Sequence, residues 1–422
     1  MREPPSATPE TAAPPSGTPK GFRHGTHRVV PPEETLEHVR RLMPMLGITR
    51  IANVTGLDTI GIPVVMVTRP NARSLAVSQG KGLTLAAAQA SGLMESVEGY
   101  HAEHVSLPLK LATYNELRFR NAVVDVAGLP RLSVSLFHDN WRMLWVEGMD
   151  LVRGGNVWLP FDLVHTDYTL PLPTGSGAFL MSSNGLASGN HVLEATLHGL
   201  CEVVERDATT LWHVRGARAQ AGTRLDLDTV DDSACREVLE KYARAGVAVG
   251  VWETTSDLGV PAFTCSIVDR ELEPQRPVAV ASGMGCNPSR EVALLRALTE
   301  AAQSRLTRIS GARDDLHRKA YEAARDGVAA ERLRARLREE PAVRRFQDVP
   351  THDGPTLEDD LEWVMSRLVV TGLTQVVAVD LTKPELGVPV VRVVVPGLEP
   401  THEAPGYVPG PRALRARREH EE

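Results

Sequence analysis

Within "SSNGLASGNHVLEATLHGLCEVVERDA", Ser182 to Ala208, a polar, glycine-bearing loop runs into a helical pattern carrying Glu194, Glu202 and Glu205. At about 100° per residue, Asn190, Glu194, Glu202 and Glu205 share one face, and Leu197, Leu200, Val203 and Val204 take the other. Arg206 lies beside the acidic stripe. The same design recurs in "SGLMESVEGY", where Ser91, Glu95 and Glu98 align, and in "RALTEAAQSR", where Arg296, Glu300 and Gln303 align. Each stripe taken singly reads equally as a solvated helix face. Gathered in one place, Glu95, Glu98, Glu194, Glu202 and Glu205 would repel one another unless cations stood among them. Carboxylate oxygens suit Mg²⁺, which commonly bridges protein acids and nucleotide phosphates.

The helices that would carry these acids alternate with β segments. "ITRIANVTG", "GIPVVMVTRP", "LPRLSVSLF", "MLWVEGMDL" and "NVWLPFDLV" read as strands, rich in β-branched residues and bounded by Gly and Pro. "GKGLTLAAAQASGLMESVEGYHAEHV" reads as a helix entered through a Gly-Lys-Gly turn. After Leu225 come a helix over "DLDTVDDSACREVLEKYARAG", strands "VAVGVWETT" and "PAFTCSIVD", and a strand, turn and long helix from Arg276 to Gly311. Asn287 and Pro288 are placed as N-cap and first helical residue of that last helix. "AAERLRARLREE" reads as a solvated surface helix. "LEDDLEWVMSRL", "TQVVAVDLT" and "VPVVRVVVPGLE" close the pattern as helix, strand, strand. The class is α+β, with mixed or antiparallel sheets and long helices, and no fixed-period repeat is evident.

A chain of 422 residues is long enough for a large buried core, and its net charge of −7 gives no reason to expect nucleic acid or an anionic membrane as partner. No apolar run is long enough to span a bilayer. Residues 1–20, rich in Pro, Thr and Ala, lack an apolar signal core and are expected to be a disordered tail. Cys201, Cys235, Cys265 and Cys286 form no C-x-x-C pair, which points to reduced core thiols and a cytoplasmic protein. Neither "GKGLTLAAA" nor "GMGCNPSR" fits the familiar glycine-rich phosphate loops, so a nucleotide site would be built from acids and metals on helices.

These motifs together resemble the YcaO superfamily, ATP-dependent enzymes that activate peptide backbone amides. The resemblance is carried by "GKGLTLAAAQASGLMESVEGY", "SNGLASGNHVLEATLHGLCEVVERDA", "RALTEAAQSRLTRISGARDD" and "VPVVRVVVPGLE", with a further match at "GTHRVVPPEETLE". It implies a YcaO-like fold over 21–400 surrounding a nucleotide site. It also implies ATP contacts at Arg28, Thr35, Ser91, Asn190, Glu194 and Arg206, and Mg²⁺ contacts at Glu95, Glu98, Glu202 and Glu205. The arginine usual in the family after the first acidic pair is Gly99 here, which removes that one contact. The chemistry implied is O-phosphorylation of a backbone amide after a nucleophile adds to its carbonyl. A neighbouring Cys, Ser or Thr then gives an azoline, external sulfide a thioamide, and an amine an amidine.

Only about 20 residues precede the YcaO-like region, so the chain is expected to be a stand-alone member without a fused leader-binding domain. "GTHRVVPPEETLE", "GITRIANVTGLDTIGIPVV" and "RPNARSLAVSQGKG" most resemble the group that works with a TfuA-like protein. Thioamide formation in a ribosomally made precursor peptide is therefore the first reading and azoline formation the second. A non-catalytic nucleotide- or peptide-binding scaffold is the third. A homodimer is expected by family analogy. Residues 401–422, with Pro405, Pro409 and Pro411, are expected either as a flexible tail or as a terminus that approaches the active site. His198 lies on the acidic stripe and is a candidate nucleotide or substrate contact. His101 and His104, beside Glu103, are a possible metal pair that lacks a third ligand. Lys81 in the Gly-Lys-Gly turn is a possible phosphate contact or a solvated lysine.

Overall fold

The computed structural model describes residues 17–271, 280–316, 318–323 and 327–421. The helices are α1 (Pro32–Leu42), α2 (Leu85–Glu103), α3 (Tyr114–Arg118), α4 (Val192–Val214), α5 (Gly216–Ala221), α6 (Ser233–Arg244), α7 (Arg290–Ser310), α8 (Arg318–Ala323), α9 (Gly327–Glu339), α10 (Leu357–Val370) and α11 (Pro411–Glu421). The strands are β1 (Arg50–Asn53), β2 (Val64–Thr68), β3 (Val77–Lys81), β4 (Leu109–Ala112), β5 (Met143–Asp150), β6 (Asn156–Pro160), β7 (Leu186–Ser188), β8 (Leu225–Asp226), β9 (Val247–Glu253), β10 (Ala262–Asp269), β11 (Val280–Cys286), β12 (Arg344–Arg345), β13 (Val377–Asp380) and β14 (Val390–Val394).

Three units of one design are built from these elements. β1, β2 and β3 form an antiparallel sheet followed by α2, with α1 packed on α2. β9, β10 and β11 form a second, followed by α7, with α6 packed on α7. The third is interleaved: β13, β14 and β7 lie side by side, β7 leads into α4, and α10 packs on α4 although it follows late in the chain. The registers agree. Gly80 pairs with Val65, Gly285 with Phe263 and Ala187 with Val391, and each of the first three stands four residues before its helix cap. The caps are Thr84, Ser289 and His191. Three hydrophobic clusters underlie them: one around Val65, Val67, Leu93 and Val97 that continues under β5, β13 and β14, one around Val251, Phe263, Cys265 and Leu298, and one around Leu200, Val204, Val364 and Val391.

Glycine brings strand and helix together. A Cβ on Gly80 would lie 2.0 Å from the Ala88 carbonyl oxygen and 2.2 Å from the Gly92 nitrogen. One on Gly285 would lie 2.1 Å from the Ala293 oxygen and 2.6 Å from the Ala297 nitrogen. No side chain fits either gap, so the backbones touch and the helices' polar faces are held directly over the strand ends.

Several expectations are corrected. The α7 cap is Ser289, whose hydroxyl accepts from Val292 N–H, because Asn287 instead uses its side chain to accept from Ser289 N–H across Pro288. Gly80 and Lys81, read as part of a turn, are the last two residues of strand β3. "LPRLSVSLF" is not a strand. It makes only isolated bridges, Arg131 to Phe179 and Leu132 to Tyr407, since no sheet edge lies alongside it. The repeat was hidden because the units share spacing more than residue identity, and one of them is interleaved. On α9, Arg334 is buried and donates from Nε to the Asp269 carbonyl at 2.7 Å, so that helix is docked on one side.

Both chain ends differ from a loose tail. Residues 1–16 of the expected tail lie outside the described residues. From Thr18 the chain is anchored: Thr18 N–H donates to Glu358 at 2.9 Å, and buried Lys20 pairs with Asp353 and Asp360 at 3.0 and 2.5 Å. At the other end α11 packs on α4, burying Ala413 and Ala416 against Leu211. Arg412 bridges Asp207 and Asp257 at 2.9 and 2.6 Å. Glu399 accepts from the Tyr407 hydroxyl and from the amides of Gly410 and Ala413, each at 2.9 Å. Among the described residues no helix is long and apolar enough to cross a membrane.

Candidate active site

Counted from the caps, α2, α4 and α7 present the same three positions. Seven residues beyond the cap come Ser91, His198 and Arg296; eleven beyond, Glu95, Glu202 and Glu300; fourteen beyond, Glu98, Glu205 and Gln303. All nine side chains line one cavity of about 750 Å³. Arg28, Thr35, Asn190, Glu194 and Arg206 line it too, so the ten residues singled out for ATP and Mg²⁺ share a single space.

One end is a closed network. Glu194 accepts from Arg28 Nη1 at 3.2 Å and from Val29 N–H at 2.8 Å. The same carboxylate accepts from the backbone and side-chain nitrogens of Asn190 at 3.2 and 3.3 Å. Thr35 in turn donates to Asn190 Oδ1 at 3.0 Å. Sequence-distant pieces of the N-terminal segment and α4 are thereby fixed to each other.

In the middle the acids are crowded and starved of water. Burial pushes Glu98 up to about 8, although Ser188 donates to it from both N–H and hydroxyl at 2.8 and 2.7 Å. Burial pushes Glu95 up to about 7, with Arg313 and Lys81 opposing. Glu202 and Glu205 are raised by burial as well, with Arg206 working against it from 3.8 and 3.6 Å. Glu300 moves the other way: burial would raise it, but Lys81 at 2.6 Å and Arg206 hold it below the usual carboxylate range. Protonation is thus a second route, besides bound cations, by which these acids tolerate one another.

Among the described residues no three His, Cys, Asp or Glu side chains already converge as a metal cage. Glu95 is turned toward Gln79 N–H at 3.4 Å, and Glu300 accepts from Met284 N–H at 3.1 Å. Gln79 and Met284 are equivalent positions on β3 and β11, so the strand-to-glutamate contact is itself repeated. Mg²⁺ fits this donor set, because it is ordinarily held by one or two carboxylates together with phosphate oxygens and waters and needs no all-protein cage.

His198 faces the cavity as a neutral imidazole. Burial, then Arg296, Arg28 and Lys81, hold its pKa well down, and its Nε2 accepts from Arg296 Nη2 at 3.0 Å. His101 and His104 are no metal pair: each Nδ1 contacts a backbone carbonyl on its own helix, and Glu103 is committed to Arg69. Gly99 leaves room for that arginine, since a Cβ there would stand 3.0 Å from Arg69 Nη2. Lys81 lines the cavity and is paired with Glu300 at 2.6 Å. Arg296, Glu300 and Gln303 align in the sequence but were absent from the set assigned to ligands, although their offsets from Ser289 match those of the α2 and α4 residues from Thr84 and His191.

The comparisons follow the same landmarks. A family model described as YcaO cyclodehydratase, ATP- and Mg²⁺-binding, matches residues 79–399. An uncharacterized protein of the tfuA 3′ region in Rhizobium leguminosarum bv. trifolii is 38% identical over 376 residues, 88% of either chain. An uncharacterized protein of Methanothermobacter thermautotrophicus is 36% identical, covering 88% of this chain and 95% of its own. Among solved structures, YcaO from Methanopyrus kandleri bound with AMPPCP and Mg²⁺ superposes with a TM-score of 0.70 at 26% identity, over 90% of this chain and 95% of that one. A heterocyclase in complex with substrate and cofactor shares the fold, with a TM-score of 0.75 at 23% identity; the match covers 92% of this chain and about half (54%) of that longer protein. Because the match runs from β3 through Glu399 and takes in all three acid-bearing helices, this chain belongs to the YcaO family.

Proposed function

We propose that the protein uses ATP and Mg²⁺ to phosphorylate the oxygen of a peptide backbone amide, and that the product is a thioamide in a precursor peptide. The observation that carries the reading is the cavity itself: three equivalent helices turn five glutamates, with Arg206 and Lys81, onto one space large enough for a nucleoside triphosphate. Glu95, Glu98, Glu202 and Glu205 would hold Mg²⁺, which neutralises phosphate charge and draws electrons from the phosphorus under attack. Arg28, Thr35, Ser91, Asn190, Glu194 and Arg206 would bind and orient ATP.

In this reaction sulfide adds to the amide carbon and the carbonyl electron pair moves onto oxygen. That oxygen attacks the γ-phosphorus as the bond to ADP breaks. The tetrahedral adduct then expels phosphate, and the carbon–sulfur double bond forms with loss of the sulfur-borne proton. The chain's own part is positional: the Arg28–Glu194–Asn190–Thr35 network fixes one end.

The tfuA 3′ location of the Rhizobium relative favours sulfide over a side-chain nucleophile and supports a TfuA-like partner. A homodimer belongs to the same reading. The test is intact-mass analysis of a candidate peptide incubated with enzyme, partner, ATP and sulfide. A gain of about 16 Da marks the thioamide, and a loss of about 18 Da marks cyclodehydration to an azoline. Absence of peptide-stimulated phosphate release with the partner supplied would leave only a binding scaffold.

A further inference from the structure

Lys81 ends β3 between two glycines that press the backbone onto α2. A Cβ on Gly82 would lie 2.6 Å from the Ala87 Cβ and 2.8 Å from the Ala88 nitrogen, and Gly80 is closer still to the same helix. Side chains alternate along a strand, so Lys81 leaves on the opposite face, away from the α2 backbone and into the cavity. There its Nζ donates to Glu300 Oε2 at 2.6 Å, and Glu300 Oε1 accepts from Met284 N–H at 3.1 Å. Strand β11 thus fixes the carboxylate, and the carboxylate fixes the ammonium. An ammonium carries three N–H donors. Among the described residues Glu300 is the one acceptor that Lys81 reaches, so the remaining donors are left for a ligand.

The fold does not require a cation at this place. Lys81 follows Gly80 as Ser188 follows Ala187 and Cys286 follows Gly285, so the three are equivalent strand ends. Ser188 meets Glu98 with a neutral hydroxyl, and Cys286 is a buried thiol. The charge is particular to the first unit.

Its surroundings are particular too. Glu300 holds the position on α7 that Glu95 holds on α2 and Glu202 on α4. Glu95 makes no ion pair among the described residues, and Glu202 has Arg206 at 3.8 Å, beyond hydrogen-bond reach. Glu300 alone of the three has a cation bonded to it. The same ammonium opposes the rise of Glu95 and of Glu205, so its charge acts on all three acidic helices. Gln79, two residues before it on β3, donates its N–H to Glu95 at 3.4 Å, which puts β3 between Glu95 and Glu300.

We propose that Lys81 binds the γ-phosphate of ATP, its ammonium standing at the α7 position where Mg²⁺ stands beside Glu95 and Glu202, and that Glu300 is the positioning residue that aims it. The proposal rests on the ATP and Mg²⁺ reading above. A lysine held in this way sets a fixed positive charge against the phosphoryl oxygens as charge redistributes during transfer, with no further metal needed.

Nucleotide affinity separates this role from a packing role, and it is read without turnover. Calorimetric titration of the parent should give tighter binding of Mg²⁺–AMPPCP than of Mg²⁺–ADP. Lys81→Met should weaken AMPPCP by about tenfold or more and ADP by less than about threefold. It should also lower kcat for peptide-stimulated phosphate release by about 100-fold or more. Since Lys81→Met leaves Glu300 without its counter-charge, the double variant Lys81→Met/Glu300→Gln removes both charges and keeps an acceptor for Met284 N–H. It should melt close to the parent and still fail to prefer AMPPCP. Glu300→Gln alone should reduce the same preference, and Glu300→Asp, which keeps the charge, should restore part of it. A parent that binds AMPPCP no more tightly than ADP would overturn the phosphate contact, as would a Lys81→Met variant that keeps the preference or a double variant that regains it. A preference unchanged or increased in Glu300→Gln would overturn the positioning role. If the parent shows the preference but releases no phosphate with any peptide, the amide-activation reading fails, and the titrations still decide the assignment of Lys81.

Discussion

Glu98 accepts two hydrogen bonds from Ser188, and burial still carries it to about 8, with Glu95 beside it at about 7. Both pKa values lie above the unfolded one, so the folded protein binds more protons than the unfolded chain between them. The stability these groups contribute is therefore full at acid pH and is lost as pH rises through 7 and 8. Without Mg²⁺ and nucleotide, thermal stability should be lower at about pH 9 than at about pH 6, and saturating Mg²⁺ with an ATP analogue should narrow the gap. The same protons must leave before the carboxylates can meet a cation. Titration calorimetry in two buffers of different ionisation enthalpy should find proton release on Mg²⁺–nucleotide binding near pH 6 that fades toward about pH 9. For the acids nearest Arg206, Glu202→Gln and Glu205→Gln should cut ATP turnover by about 100-fold or more while leaving the far-ultraviolet circular dichroism and thermal midpoint close to the parent.

At the scale of elements, the contact of β3 with α2 and of β11 with α7 leaves no space for a methyl group. Gly80→Ala and Gly285→Ala should each destabilise the protein by about 3 kcal/mol, read from denaturant midpoints, because backbone and not a yielding side chain is in the way. Similar losses at the two sites would reflect their equivalence. The acidic faces of α2, α4 and α7 were legible from periodicity, since amphipathic helices announce themselves in spacing. What spacing could not convey is that three such faces meet. Their convergence depends on sheet pairing between segments as remote as 186–188 and 390–392, which no local pattern encodes. The cap of α7 was misplaced because Asn287-Pro288 is as good a local start as Ser289. Lys81 in isolation looked like any turn lysine, and only the approach of Glu300 from α7 gives it a partner.

For the molecule as a whole, the C-terminal helix is part of the third unit's support. Asp207 is buried on α4, accepts from Glu399 N–H at 2.9 Å, and receives two hydrogen bonds from Arg412. Arg412→Met leaves that carboxylate without its counter-charge and should cost about 3–5 kcal/mol in chemical denaturation. Limited proteolysis should then cut first between residues 400 and 410.

The interleaved third unit has a consequence for biosynthesis. Helix α4, with Glu202 and Glu205, leaves the ribosome long before β13 and β14, the strands that complete its sheet, and α10, which packs against its other side. For the whole interval its apolar flank must be shielded by something temporary, while the first unit is free to close as soon as it emerges. A nascent chain halted before Val377 therefore holds every residue that lines the cavity, the last of them Leu316, but lacks the strands on which α4 is seated.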